Sequence, residues 1–150
     1  LKQAGCAVAS CPRSNARHGH GEPPLARYFE AGLPLGLGTD SVVSVETLDL
    51  LAEAREAMRL AGLNADQALR LATRGGAEVL GRAGDLGSLA LGKLGDLCLV
   101  EVPPATCSHA GEAAEAALAA GGAAVIATYV GGRRVYGESH RQPLGALSTA

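Results

Sequence analysis

The stretch at residues 36–41, Gly-Leu-Gly-Thr-Asp-Ser, constrains the fold of this chain more than any other part. An apolar run at residues 31–37 leads into it, and an amphipathic helical pattern follows from near Ser44. This order places the carboxylate of Asp40 at the C-terminal tip of a strand, where parallel α/β folds place their ligands. Alternatively, Asp40 or Ser41 only satisfies free amides at the start of the next helix.

The composition excludes several classes of protein. The 150 residues have a net charge of −2, are only 3% aromatic and include no Trp, so nothing supports binding to nucleic acid or to an anionic membrane. No apolar run reaches the ~20 residues that a membrane-spanning helix needs. The cysteines form no C-x-x-C pair and indicate reduced thiols in a cytoplasmic protein; they are Cys6, Cys11, Cys98 and Cys107.

The start of the chain indicates that it belongs to something longer. It begins with Leu1 rather than Met, and strand-like sequence follows almost at once from Cys6. Residues 1–5 are typical of the last turn of a helix that ends at a glycine. We therefore expect an internal or C-terminal piece of a longer protein.

The first half of the chain alternates strands and helices, which predicts an α/β fold. A Gly-Gly pair at residues 75–76 is expected to interrupt its last helix. In order, the predicted elements are a strand at 6–11, a polar loop at 13–24 after Pro12, a helix at 25–31, a strand at 33–38, a helix at 45–61, a helix from Asn64 to Thr73 and a helical turn at 77–80.

The predicted helix at residues 45–61 has one apolar stripe and many charged side chains off it. Its acidic residues, Glu53 among them, are expected to form a solvated face. Arg55 and Arg59 are expected to form helix-spaced pairs with glutamates three or four residues earlier. Ser44 is the expected N-cap of this helix.

The second half has a different character. Glycine-rich turns at residues 87–96 precede a predicted strand at 97–102, an alanine-rich segment at 111–122 that suits a short helix or a loose connection, and a hairpin whose strands lie at 123–130 and 133–136. We therefore predict a parallel α/β part at residues 1–84, a small antiparallel β part at 85–137 and a tail at 138–150.

Three motifs occur in a fixed order along the chain. They are Cys-Pro-Arg-Ser-Asn at residues 11–15, Gly-Thr-Asp-Ser at 38–41, and a glycine-rich stretch at 87–97 that leads into a late strand. Together they resemble the C-terminal portion of the amidohydrolase superfamily. The similarity covers about residues 1–136 and is strongest to the cytosine-deaminase-like branch, which includes chlorohydrolases and deaminases of adenosine-type nucleosides.

The resemblance implies a metal-dependent (β/α)8 TIM barrel with a small composite β-sandwich. Residues 6–11 would be the seventh barrel strand and residues 33–38 the eighth. Asp40 then matches the aspartate that binds the metal and takes a proton from the metal-bound water. The resemblance implies one divalent metal, Zn2+ or Fe2+, whose remaining ligands would lie before Leu1, as would the glutamate that shuttles protons.

The implied activity is hydrolytic deamination of an aminated heterocycle, such as an adenosine-like nucleoside. Hydrolysis of a cyclic amide or of a carbon–chlorine bond is an alternative within the superfamily. A second alternative is a non-catalytic α/β binding module, in which the glycines at 36–38 would cradle a phosphate. The expected partner is a small-molecule substrate, with no nucleic acid and no membrane, and the full-length protein is a possible homo-oligomer.

Several further side chains are candidates for the site that the resemblance implies. Ser14, Asn15 and Ser41 could hydrogen-bond the substrate, although Ser14 and Asn15 could instead hold their own loop. The His-Gly-His sequence at residues 18–20 is interpreted as a solvated loop in preference to a substrate contact or a metal site. Arg13 is expected to pair with the acidic helix rather than with a substrate anion. We expect Cys11 to be a small core residue, and residue 93, a lysine, to be exposed in a turn.

Overall fold

The computed structural model describes residues 1–103 and 109–137, and within these ranges the chain forms six α-helices and five strands. The strands are β1 (Val8–Ser10), β2 (Leu35–Leu37), β3 (Leu97–Val100), β4 (Val125–Val130) and β5 (Arg133–Tyr136). The helices are α1 (Pro12–Arg17), α2 (Leu25–Glu30), α3 (Leu50–Ala61), α4 (Ala65–Arg70), α5 (Gly76–Val79) and α6 (Ala110–Ala120). This mixture confirms the predicted α/β class. No helix in these ranges has the length and apolar character needed to cross a lipid bilayer.

The strands β1 and β2 form a parallel pair. Val8 lies opposite Leu35, and Ser10 lies opposite Leu37. The connection between them contains α1 and α2, since parallel strands need a crossover rather than a tight turn. All three residues of β2 are buried. The prediction that these segments are adjacent parallel strands is therefore confirmed.

A second, antiparallel sheet has the strand order β3-β4-β5. Gly131 and Gly132 have φ values of 57° and 74° and form the two-residue turn between β4 and β5. A carboxylate oxygen of Asp96 accepts the N–H of Gly131 at 2.7 Å and ties this turn to the segment before β3. The predicted hairpin is confirmed, and the alanine-rich segment is the helix α6. The predicted tail at residues 138–150 lies outside the described residues.

The hydrophobic core lies where β2 meets the helices α3, α4 and α6. Its helical members are largely alanines, whose small side chains let the helices approach one another closely. The buried members of this core are Leu25, Leu35, Leu37, Ala54, Ala57, Leu63, Ala65, Ala68, Leu71, Ala114 and Leu118. The packing fixes the position of β2 and therefore of the segment that follows it.

Glycines make a close backbone contact between β2 and the helix that follows α4. A Cβ atom on Gly36 would lie 2.8 Å from the Cα of Gly76, and one on Gly75 would overlap the carbonyl oxygen of Leu35. The glycine pair does not interrupt the helix as predicted, because a π-helical turn at Leu71–Gly75 continues α4 into α5. The backbone of Gly36 is buried in this contact, which argues against the alternative that these glycines cradle a phosphate.

The start of α3 differs from the prediction. The helix begins at Leu50, and its N-cap is Asp49 rather than Ser44. One carboxylate oxygen of Asp49 accepts the N–H of Ala52 at 3.0 Å, and the other accepts the N–H of Gly122 at 3.1 Å. Asp49 therefore caps α3 and also joins it to the turn after α6.

The predicted solvated acidic face of this helix is wrong for Glu53, which is 0% exposed. The ion pairing is as predicted for Arg59, whose guanidinium lies 2.8 Å from the carboxylate of Glu56 one turn earlier. Arg55 differs, because it lies 3.8 Å from Asp49 at the helix start instead. Hydrophobic periodicity alone does not show which charged residues another helix covers.

Replacement of Asp49 by alanine is expected to lower the free energy of unfolding by roughly 1–3 kcal/mol, because a helix cap and a second, half-buried acceptor are lost together. Burial would raise the pKa of Asp49, but the amides of Gly122 and Ala52 and the charge of Arg55 outweigh it and lower the pKa. A carboxyl with a lowered pKa stabilises the fold above its unfolded pKa and loses that effect as the pH falls. The difference between the variant and the unmodified full-length protein should therefore shrink below about pH 4 in urea unfolding. An undiminished difference in acid would contradict this assignment.

Candidate active site

The candidate site lies where β1 and β2 end, at the carboxyl edge of the parallel pair. Asp40 follows β2 and has a φ of 62°. It is the only non-glycine residue in the described ranges with a positive φ. Aspartate tolerates this left-handed conformation better than most residues, but the conformation is strained. Strain of this kind is concentrated at functional sites. Asp40 does not cap α3, since Asp49 does.

The segment after β1 begins with the helix α1, so the predicted polar loop at residues 13–24 is non-helical only at residues 18–24. Pro12 is the first residue of α1, a position where its fixed φ suits a helix and its missing N–H leaves no bond unmade. The prediction is wrong here because a proline that ends a strand can also be the first residue of a helix. As a result, Ser14 and Asn15 project from a short helix, with Ser14 buried and Asn15 half-buried.

Ser14 holds the carboxylate of Asp40. Its hydroxyl donates to a carboxylate oxygen of Asp40 at 2.8 Å. The hydroxyl of Ser14, followed by that of Ser44, lowers the pKa of Asp40 below its ordinary value. Asp40 is exposed in this structure, and its carboxylate is ionised at neutral pH. The site therefore presents an oriented anionic oxygen at the strand end.

A cavity of about 640 Å³ opens beside Asp40. Of the residues predicted for the site, it brings together Asp40, Ser14 and Asn15. Its full lining is Val8, Ala9, Ser10, Cys11, Ser14, Asn15, His18, His20, Glu22, Pro23, Pro24, Tyr28, Asp40 and Ser44. The volume lies within the range of pockets for small organic ligands.

Two serines after Asp40 do not have the roles expected of them. Ser41 does not line the cavity, and its hydroxyl lies 3.2 Å from that of Ser44. Ser44 lines the cavity and interacts with Asp40 instead of capping α3. The turn formed at residues 41–45 brings Ser44 back toward the strand end, because the amides of Ser44 and Val45 both bond the carbonyl of Ser41. No periodicity in the sequence indicated this turn.

His18 and His20 lie just after α1, and both are exposed, as predicted. Both also line the cavity, and their rings stack with centroids 5.7 Å apart. The prediction of a solvated segment is therefore correct, but it missed the position of these rings at the cavity.

Cys11 lies between the two strand ends and is half-buried rather than part of the core. Its sulfur lies close to Gly38, where an added Cβ would be 3.3 Å away. Burial, followed by the negative charge of Asp40, raises the pKa of the Cys11 thiol. The thiol is therefore neutral and unsuited to act as a nucleophile or as a metal ligand without a further change.

Other predicted candidates lie elsewhere. Arg13 faces α3, as expected, with its guanidinium 3.7 Å from the carboxylate of Glu53. Lys93 is not a free turn residue, since its ammonium donates to the carbonyls of Ala83 and Leu86 at 2.7 and 3.0 Å. Cys107 lies outside the described residues.

The arrangement of potential ligand side chains determines how many bonds this chain can make to a metal ion. In the described part of the chain, no group of three or more His, Cys, Asp or Glu side chains is arranged to hold one. The exposed, ionised carboxylate of Asp40 fits a single position in the coordination of a divalent cation. Residues outside the described ranges would have to supply the other ligands.

Comparison with known proteins places this chain in one family. A model of the amidohydrolase family matches residues 1–135. The 5-methylthioadenosine/S-adenosylhomocysteine deaminase of Natronomonas pharaonis is 38% identical over 66 residues, which cover 44% of this chain and 15% of that protein.

Solved structures agree with this placement. A zinc-bound adenosine deaminase from Xanthomonas campestris superposes with a TM-score of 0.79 and 31% identity over 89% of this chain and 32% of that one. A zinc complex of the atrazine chlorohydrolase of Arthrobacter aurescens gives a TM-score of 0.76 and 30% identity over 90% of this chain and 32% of that one. The chain therefore spans about a third of the length of these structures or less. The family match covers most of the chain, and the chain accordingly belongs to the amidohydrolase family.

Proposed function

We propose that the full-length protein is a metal-dependent hydrolase that releases ammonia from an aminated heterocycle, with an adenosine-like nucleoside as the preferred class. The single observation that carries this proposal is the strained Asp40 at the strand end, held by Ser14 in the position of a family motif. Similar proteins are named as deaminases of 5-methylthioadenosine, aminodeoxyfutalosine and adenosine, which supports this substrate class.

The proposal includes an architecture. β1 and β2 would be the seventh and eighth strands of a (β/α)8 barrel, and the antiparallel sheet would be part of a composite β-sandwich. The chain would then divide into a barrel part at residues 1–84, a sandwich part at 85–137 and a tail at 138–150. The parallel pair with its intervening helices and the separate antiparallel sheet both suit this division.

Asp40 would be one ligand of a single divalent metal. Zinc is favoured over iron because similar structures are described with bound zinc. When bound, such a cation lowers the pKa of water and so makes hydroxide available near neutral pH.

The side chains of this chain have distinct proposed roles. Asp40 would accept a proton from the attacking water, and a bound cation would supply the acidity that lets a carboxylate with a lowered pKa take it. Ser14 holds the carboxylate in one orientation. Asn15 offers an amide to the substrate within the cavity. Ser44 lines the same cavity. Ser41, a serine predicted to bind the substrate, does not line the cavity and would act through the hydroxyl of Ser44, 3.2 Å away.

The test is ammonia release by the purified full-length protein. It would be incubated with 5-methylthioadenosine, S-adenosylhomocysteine, adenosine and guanine, with and without prior removal of metal by a chelator. We expect ammonia from at least one adenosine-like nucleoside, loss of release after chelation, and recovery on addition of zinc. A protein that acts on none of these compounds would contradict the proposal.

A second candidate is hydrolysis of a chlorinated ring. The similarity to atrazine chlorohydrolase at 30% identity favours it, since both activities replace a ring substituent with hydroxyl. The same incubation with atrazine separates the two reactions, because one releases ammonia and the other releases chloride.

A further inference from the structure

Glu53 is the only charged side chain that is fully buried in the described part of the chain. It belongs to α3, yet one carboxylate oxygen accepts the backbone N–H of Arg13 in α1 at 3.0 Å. The other oxygen lies 3.7 Å from the Arg13 guanidinium and makes no hydrogen bond. A buried carboxylate with one unsatisfied oxygen is costly to keep, so it calls for a reason other than stability.

The contact occurs at the N-terminus of α1. This helix has only six residues, and such short helices depend on tertiary contacts. Because Pro12 has no N–H, the amide of Arg13 is the first free donor of the helix. The side chain of Cys11, which precedes the helix, makes no capping bond. Glu53 therefore supplies the acceptor for this amide.

The residue after Arg13 is Ser14, whose hydroxyl bonds Asp40. Glu53 on α3 is therefore connected to the carboxylate of Asp40 by two hydrogen bonds, which are made by the neighbouring residues Arg13 and Ser14. We propose that Glu53 is a positioning residue, which holds α1 where Ser14 can keep the carboxylate of Asp40 in place. This inference rests on the proposed function, in which that carboxylate takes part in the reaction.

The first test compares three substitutions in the full-length protein. Glu53→Leu fills a similar volume without an acceptor, and kcat for ammonia release should fall by about 10- to 100-fold, as expected when a reacting group is misplaced by a distant change. Glu53→Asp keeps the charge but withdraws the carboxylate by one methylene, and it should give a comparable loss. Glu53→Gln keeps an oxygen at the same reach and should restore most of kcat. If Glu53→Leu does not fold, the aspartate and glutamine variants still decide the matter.

A double-mutant cycle with Ser14→Ala tests the route of the effect. If Glu53 acts through Ser14, the double variant Glu53→Leu/Ser14→Ala should lose no more kcat than Ser14→Ala alone. Losses that multiply would show that Glu53 acts independently of Ser14 and would overturn the proposal.

Asp49→Ala is the matched control, since it removes another acceptor of α3 that does not touch α1. It should lower Tm but leave kcat unchanged at temperatures below unfolding. If Asp49→Ala and Glu53→Leu lose kcat equally, the role of Glu53 is only structural and the proposal is overturned. A full kcat in Glu53→Asp would likewise contradict the proposal.

Hydrogen–deuterium exchange gives a readout that does not depend on the reaction. Residues 12–17 should exchange faster in Glu53→Leu than in Glu53→Gln or Asp49→Ala, because the amide of Arg13 has lost its acceptor. Unchanged exchange would overturn the positioning role even if the proposed function is correct. If Asp40→Asn retains full activity, the proposed function fails, while the exchange result still decides whether Glu53 holds α1.

Discussion

Replacement of Asp40 by asparagine is expected to lower kcat of the full-length protein by about 10²- to 10⁴-fold, the usual contribution of a general base. The amide oxygen of asparagine can still accept the hydroxyl of Ser14 and approach a cation, but the side chain cannot accept a proton. Asparagine also tolerates the φ of 62° at this position, so the fold should be retained. The measurement is steady-state ammonia release, with Tm recorded for the same samples.

Asp85→Asn is a suitable control for this substitution. Asp85 is an exposed aspartate that pairs with Arg82 at 2.9 Å and lies outside the cavity. The control should leave both kcat and Tm nearly unchanged, as is usual for surface ion pairs. Activity of Asp40→Asn within a few-fold of the unmodified protein would refute the assigned role. If kcat falls only because the variant is less stable, as a matching fall in Tm would show, Asp40 has a structural role instead.

The features that sequence predicted well are those set by neighbouring residues. The capping box at the start of α4 is present in full, since Asn64 and Gln67 bond each other's backbone amides at 2.9 Å. The Gly-Gly hairpin also forms, because only its own two residues need positive φ. The strand end that carries Asp40 follows from an apolar run and a turn, both local signals.

The features that sequence missed depend on contacts between distant segments. Glu53 looked like a solvated acid because its helix is amphipathic, whereas its burial depends on α1 packing against α3. The helix α1 itself was missed because a six-residue segment with glycines after it has little helical signal of its own. Ser44 is an exception, since it reaches the cavity through a local turn at residues 41–45 that has no strong sequence signal. The candidate site could therefore be located from sequence by Asp40, Ser14 and Asn15, but its supporting residues could not.

The adjacent glycines Gly75 and Gly76 show the same limit, because sequence treats them alike and the structure does not. Gly75 is buried, and a Cβ there would overlap the carbonyl oxygen of Leu35 in β2. That oxygen belongs to buried backbone, so it cannot move aside as a flexible side chain would. A Cβ on Gly76 would meet nothing within 4 Å, and its φ of −57° is helical.

We therefore expect opposite results for two single-methyl substitutions in the full-length protein. Gly75→Ala should lower the free energy of unfolding by about 3 kcal/mol or more, at the upper end of the cost of overpacking, because backbone must shift. Gly76→Ala should be neutral or stabilise by roughly 0.5–1 kcal/mol, since alanine loses less entropy than glycine in a helix. Urea unfolding of the two variants measures both effects under identical conditions. Equal stabilities of the two variants would mean that the backbone at Gly75 does not pack against β2 as described. Other contacts would then have to fix the position of Asp40 at the end of that strand.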